Sequence, residues 1–162
     1  MCLVITMLSQ NRVKVKKNSN IDENYWINGI DTPEIRAWSG YAFEQVCLMH
    51  LPQIKTALGI SSVQTQSSAW VGVSGTEKAQ IDLVIDRRDQ VINLCEMKFS
   101  IKPFTIEKEY AENLRKKMDV FREATQTNKA LWLTFITTNG LTPNAYAQSL
   151  VHQSVAMDAL FL

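Results

Sequence analysis

The segment Ala130 to Thr137, ALWLTFIT, is apolar at odd and even positions alike. Successive side chains of a strand point to opposite faces, so a strand built this way offers no face to water. It belongs at the centre of a sheet that is covered on both sides. With this strand included, the chain reads as helix, three strands, helix, strand, helix, which makes an α/β fold with a mixed β-sheet flanked by helices.

Several local signals place these elements. Thr32 can cap a helix that begins at Pro33, passes Gly40, is broken or kinked at Pro52, and stops at Gly59 after about Leu58. Glycine costs about 1 kcal/mol relative to alanine inside a helix, so Gly40 suggests close packing there. A strand follows around Val63 to Val73, and VSGTEK supplies a turn. Ile81, Leu83 and Ile85 then alternate with Gln80, Asp82, Val84 and Asp86, and Val91 to Phe99 forms a second strand after the polar break Arg87-Arg88-Asp89. Together they read as a β-hairpin. Thr105 caps the next helix, whose stripe is Ile106, Tyr110, Leu114, Met118 and Phe121, with Glu107 and Glu109 in its first turn. Asn139-Gly140 ends the apolar strand, Thr142-Pro143 opens a helix to about Val151, and Val155 to Leu162 gives a last short strand or a packed tail. Trp70, Trp132 and Phe135 fill the core.

The chain has 162 residues, 46% of them hydrophobic, with 17 Lys plus Arg against 16 Asp plus Glu and a net charge of +1. Roughly 70% of the unfolded surface can be buried at this length, so a core forms without disulfides. Near-neutrality excludes a polybasic tail or an acidic disordered chain as the whole molecule. The division expected is a tail or junction over 1–31, including the basic stretch Arg12 to Asn20, and one domain over 32–162. Cys2, Cys47 and Cys95 are an odd number with no disulfide or zinc-ribbon spacing, which suits a reducing cytoplasm. Met1 to Leu8 lacks the basic region and cleavage site of a signal peptide, and no apolar run approaches the ~20 residues of a membrane span.

Two carboxylates stand out. Asp82 and Glu96 each interrupt an otherwise apolar strand, where an ionised group is costly unless it has a partner such as a divalent cation or a neighbouring lysine. If the hairpin turn is Arg87 to Asp89, Asp82 lies opposite Leu94 and Gln80 opposite Glu96, so Gln80, Asp82, Glu96 and Lys98 share one face with the two acids diagonal. A turn two residues longer sets Asp82 directly opposite Glu96. A turn longer or shorter by one splits them onto opposite faces. On one face, the two carboxylates can hold Mg²⁺ or Mn²⁺, the Met97 carbonyl can add an oxygen, and Lys98 can position or deprotonate a water and offset phosphate charge. That is phosphodiester hydrolysis chemistry.

The joint pattern, Q-I-D-L-V-I-D followed about ten residues later by C-E-M-K-F, resembles the core motif of the PD-(D/E)XK nuclease superfamily. W-S-G-Y-A-F-E, Trp38 to Glu44, is similar to the G-x-x-F-E helix of members whose first helix adds an acidic metal ligand. The resemblance covers roughly Trp38 to Ile136. It implies a restriction-endonuclease-like αβββαβ core, a metal held by Glu44, Asp82 and Glu96, and a positioning or structural role for Gln80. The stretch looks most like the C-terminal domain of archaeal-type P-loop ATPases. No G-x-x-x-x-G-K-[ST] occurs here, so the ATPase is missing, which implies a detached version, a truncated gene or an expressed fragment. Ile81 also stands where the family name has proline.

The resemblance thus implies a Mg²⁺- or Mn²⁺-dependent DNA nuclease. The alternative is a nuclease-like module that has lost catalysis and serves an ATPase partner or DNA by binding. Arg115, Lys116 and Lys117 are the candidate phosphate-backbone contacts, against the commoner reading of such a run as a solvated face. Cys47-x-x-His50 with Cys95 makes a poor zinc site because no further ligand is evident, and His152 has no visible partner. Without the three proposed ligands, 13 acids face 17 bases, so an acidic metal site in a mildly basic protein accounts for the near-neutral total.

Overall fold

The computed structural model describes residues 33–161. The expected cap Thr32, the basic stretch Arg12 to Asn20 and Cys2 lie outside the described residues. The chain divides into two units, residues 1–35 and 36–162, and the sheet belongs to the second.

Two helices come first, α1 (Pro33–Met49) and α2 (Leu51–Ala57). Pro52 sits in the first turn of α2, where its missing N–H costs nothing, so it starts a new helix rather than kinking an old one. Gly59, at φ 71°, follows the end of α2 as expected. Gly40 differs from expectation: a Cβ placed there meets nothing within 4 Å, so close packing is not its reason.

The sheet contains β1 (Thr65–Ser74), β2 (Glu77–Arg87), β3 (Val91–Lys98), β4 (Ala130–Thr137) and β5 (Val151–Ala156), in that spatial order. The first two pairings are antiparallel and the last two parallel. Parallel neighbours need crossovers, supplied by α3 (Lys108–Thr125) between β3 and β4 and the short α4 (Ala145–Leu150) between β4 and β5. A 3₁₀ turn, Met157–Leu160, closes the described chain. The result is a mixed five-stranded sheet with helices on both faces. Among the described residues no helix is long and apolar enough to cross a membrane.

Two element starts differ from the sequence reading. Residue Glu107, not Thr105, precedes the first turn of α3, and the Thr105 hydroxyl instead meets that of Thr142 at 2.9 Å. Ile106 is fully buried but lies before the helix. Asn144 caps α4, its side chain accepting from the Ala147 N–H at 2.8 Å, so Pro143 stays outside and β5 begins at Val151.

On one face of the sheet Leu83, Ile85, Cys95, Met97, Ile136 and Val155 pack with Phe43 and Cys47 of α1 and Ile54 of α2. On the other, Ile81, Val84, Ile92, Leu94 and Leu131 pack with Phe121 of α3, and Leu133 and Phe135 with Leu114. β4 therefore is covered on both sides, as its composition demands. Trp70 meets Phe121 edge to face at 4.9 Å, whereas Trp132 lies flat between the Arg87 guanidinium, 5.3 Å away, and His152, 5.8 Å away. His152 thus does have a partner.

Ile81 and Leu83 face opposite sides of the sheet, although residues two apart in a regular strand share a face. The cause is a bulge: β1–β2 pairing runs in one register from Thr65↔Arg87 to Ser68↔Val84 and in another from Trp70↔Ile81 to Ser74↔Glu77. Asp82 and Leu83 together oppose the single residue Ala69. Such an extra residue bends the strand and re-aims its side chains.

The hairpin register is also shifted from the first of the expected alternatives. Its pairs are Leu83↔Cys95, Val84↔Leu94, Ile85↔Asn93 and Asp86↔Ile92, and one further step sets Asp82 opposite Glu96. Gln80 is therefore not opposite Glu96. The turn is Arg88 to Gln90, with Gln90 left-handed at φ 68°. Arg87 is a buried strand residue, because its guanidinium lies over Trp132, reaches Asn93 Oδ1 at 3.4 Å and pairs with Asp89.

Candidate functional site

The last described β2–β3 pair is Leu83↔Cys95, and beyond it a side chain continues the connection. Asp82 Oδ2 accepts the Met97 backbone N–H at 2.9 Å. The carboxylate satisfies a donor at the point where the bulged strand leaves its neighbour. Burial raises the Asp82 pKa first, the Met97 N–H opposes the rise, and Glu96 adds to it while Lys98 and Lys117 lower it.

Glu96 is 2% exposed and faces α3. Its Oε1 accepts from Lys117 Nζ at 2.6 Å, its Oε2 accepts from the Tyr110 hydroxyl at 3.0 Å, and Lys98 Nζ stands 3.5 Å from Oε2. Lys98 also lies 5.7 Å from the centre of the Tyr110 ring. Tyr110 and Lys117 are seven residues apart, two turns of α3, so one helix face delivers both. Burial and the Glu96 charge push the Tyr110 hydroxyl well above the usual tyrosine range, so it stays protonated as a donor.

Glu44 comes from α1, on the other side of the sheet, half-buried one residue after the core side chain Phe43. Its pKa is raised by burial, then by Asp82 and Glu96, with Lys98 opposing them. Glu44, Asp82, Glu96, Lys98 and Lys117 therefore share one electrostatic neighbourhood at the fork of β2 and β3. Three acids and two lysines leave one net negative charge. Among the described residues no three His, Cys, Asp or Glu side chains gather into a ready-made cation site. The donors nevertheless suit a hard cation, being carboxylate oxygens whose proton affinity burial raises first and neighbouring acid charge second.

The remaining candidates separate. Gln80 is exposed opposite Val71 and takes no part in these contacts, because the bulge changes the facing of the residues before Asp82. The Met97 side chain is core, and its backbone serves the site through the N–H that Asp82 accepts. Arg115 and Lys116 lie exposed on α3, whereas Lys117 turns inward to Glu96. Tyr110 reads as an apolar-stripe residue in the sequence, and its spacing of seven to Lys117 is the signal that joins the two. Cys47 and Cys95 are free and buried in one apolar cluster, and burial pushes the Cys47 thiol up to about 12. The His50 ring bonds the Val46 carbonyl at 2.8 Å, so this trio is core and helix capping. Shallow clefts lined by Gln53, Thr56, Ala57 and Ala159, and by Gln64, Asp86, Arg88 and Lys129 among others, include none of the site residues.

No family model matches the chain, and no curated protein matches it. A solved structure described as the crystal structure of the protein of unknown function AF1548 is similar, with a TM-score of 0.48 and 16% identity over 73% of this chain. The match spans 64% of that chain's length.

Proposed function

We propose that the chain is a metal-dependent phosphodiesterase acting on DNA, of the PD-(D/E)XK type. The observation that carries the reading is the placement of Asp82 and Glu96 at one strand fork, with Lys98 3.5 Å from Glu96 and Glu44 in the same electrostatic field. Glu44, Asp82 and Glu96 would hold Mg²⁺ or Mn²⁺. The N–H and C=O of a strand residue face the same neighbour, so the Met97 carbonyl shares a side with the Asp82 carboxylate and can add a fourth oxygen. The cation would supply Lewis acidity toward a phosphate oxygen and acidify a bound water.

The chain's own groups do the rest. Lys98 orients the attacking water or, having first lost its own proton to solvent, accepts one from it; the water oxygen bonds to phosphorus as the bond to the leaving oxygen breaks, and that oxygen takes up a proton from solvent. Tyr110 fixes the Glu96 carboxylate through Oε2 and contributes no charge. Arg115 and Lys116, exposed on α3, reach toward the phosphate backbone, so affinity falls as salt rises. Gln80, from its exposed position, acts on substrate position at most.

The second reading, a nuclease-like module that binds DNA or an ATPase partner without cutting, is favoured by the Lys117 ammonium already seated on Glu96. Incubating plasmid and single-stranded DNA with the protein and Mg²⁺ or Mn²⁺ tests the first reading. Cleavage by wild type and none by Asp82→Asn is expected. Equal inactivity of both under every metal overturns the enzyme, and retained DNA binding then supports the module.

A further inference from the structure

We propose that Lys117 is a resident counter-ion that competes with the divalent cation for Glu96, so that this lysine sets the metal affinity of the site. The inference rests on the proposed metal-dependent reading and goes beyond it.

Glu96 is nearly inaccessible to solvent, and a buried carboxylate needs a cation. Lys117 supplies one at 2.6 Å on Oε1 while Tyr110 holds Oε2, so both oxygens are occupied. Lys98 is the more distant ammonium, 3.5 Å from Oε2, and is additionally placed against the Tyr110 ring. A divalent ion that takes a Glu96 oxygen would therefore have to displace one of these partners, and Lys117 is the one that carries charge at hydrogen-bond distance.

Charge decides which partner gives way. Glu44, Asp82 and Glu96 with Lys98 and Lys117 carry a net −1. Adding a divalent cation turns this into +1, so one ammonium becomes surplus and is repelled at short range in a poorly screened site. Lys117 is the group that must give way, because it sits directly on Glu96 Oε1 at 2.6 Å, whereas Lys98, the more exposed of the two, stands off at 3.5 Å and need not leave. The surplus positive charge equals the single negative charge of a phosphodiester. Metal binding therefore frees the Lys117 charge to pair with substrate, and in metal-free protein Lys117 stays on Glu96.

Mn²⁺ binding by isothermal titration calorimetry, without nucleic acid, tests the competition. The proteins are wild type, Lys117→Gln, Lys117→Met and Lys117→Arg, each checked for folding by circular dichroism. Lys117→Gln keeps an N–H donor for Glu96 without the charge and serves if Lys117→Met fails to fold. Removing the competing charge is expected to tighten Mn²⁺ binding by about tenfold or more, with Lys117→Arg close to wild type. A merely structural lysine would leave affinity unchanged or weaken it. If wild type binds Mn²⁺ and Lys117→Gln binds equally or less tightly, the competition is wrong and the metal site stands. If none of the four binds Mn²⁺, the metal-dependent reading fails and takes this inference with it.

Discussion

Replacing Asp82 by asparagine and by alanine should have opposite meanings for stability. Alanine removes the acceptor and strands the Met97 N–H at the strand fork, a loss of about 1–3 kcal/mol for an unpaired, partly buried donor. Asparagine keeps a carbonyl oxygen within reach. It gives up the extra strength of a charged acceptor, about 1 kcal/mol, but removes a buried charge that Glu96 repels. The raised pKa fixes the sign: a carboxyl whose folded pKa lies above its ordinary value of 3.8 costs stability when ionised, so the asparagine gain exists at neutral pH and vanishes as the pH falls below that value. Asp82→Asn should therefore lie within about 1 kcal/mol of wild type at pH 7, and Asp82→Ala below Asp82→Asn by about 1–2 kcal/mol. Urea unfolding followed by tryptophan fluorescence, without divalent cations, measures both. If alanine proves as stable as asparagine, Asp82 does not hold the fork, and the account of β2 leaving β3 is wrong.

Further outcomes can be checked with equal directness. Gly40→Ala meets no atom within 4 Å and should stabilise α1 by about 0.5–1 kcal/mol in the same urea assay; destabilisation would restore the close-packing explanation. Asn93→Leu leaves Thr134, Gln153 and Arg87 without the amide that bonds all three, and should cost about 2–4 kcal/mol. Cys47 and Cys95 should resist alkylation in native protein at pH 8 and react on unfolding, as peptide mapping by mass spectrometry would show, since burial holds both thiols protonated.

The sheet was largely legible because its signals are local and redundant. ALWLTFIT declares a doubly covered strand by composition alone, and β4 begins and ends where that run does. The hairpin was legible as a hairpin but not in register, since register depends on which of Arg87 to Gln90 turn. A charged, polar-looking Arg87 hides its strand role until Trp132 and Asn93, distant in sequence, are seen to receive it. The bulge was invisible for the same reason: apolar alternation through Ile81, Leu83 and Ile85 reads as regular, and only the mate Ala69 reveals the extra residue. At the site, Asp82, Glu96 and Lys98 could be read from a carboxylate in an apolar strand and its near neighbour. Tyr110 and Lys117 could not be assigned, because a helix stripe tells which face is inward but not which sheet carboxylate lies beneath it.

The way the fork is assembled has a consequence for the order of folding. Asp82 and Met97 are 15 residues apart and joined by a hairpin, an element that closes in about 1–10 μs, whereas Lys117 rides on a crossover helix that docks only as β4 pairs in parallel with β3. The acids are thus expected to meet, with Lys98 beside them, before the closer counter-charge of Lys117 arrives. For an interval the nascent hairpin has only Lys98 to set against both acids, and mobile ions from the medium add to that screening. Salt should consequently steepen the rise of the refolding rate more than it slows unfolding, a signature that stopped-flow chevrons at two ionic strengths would display.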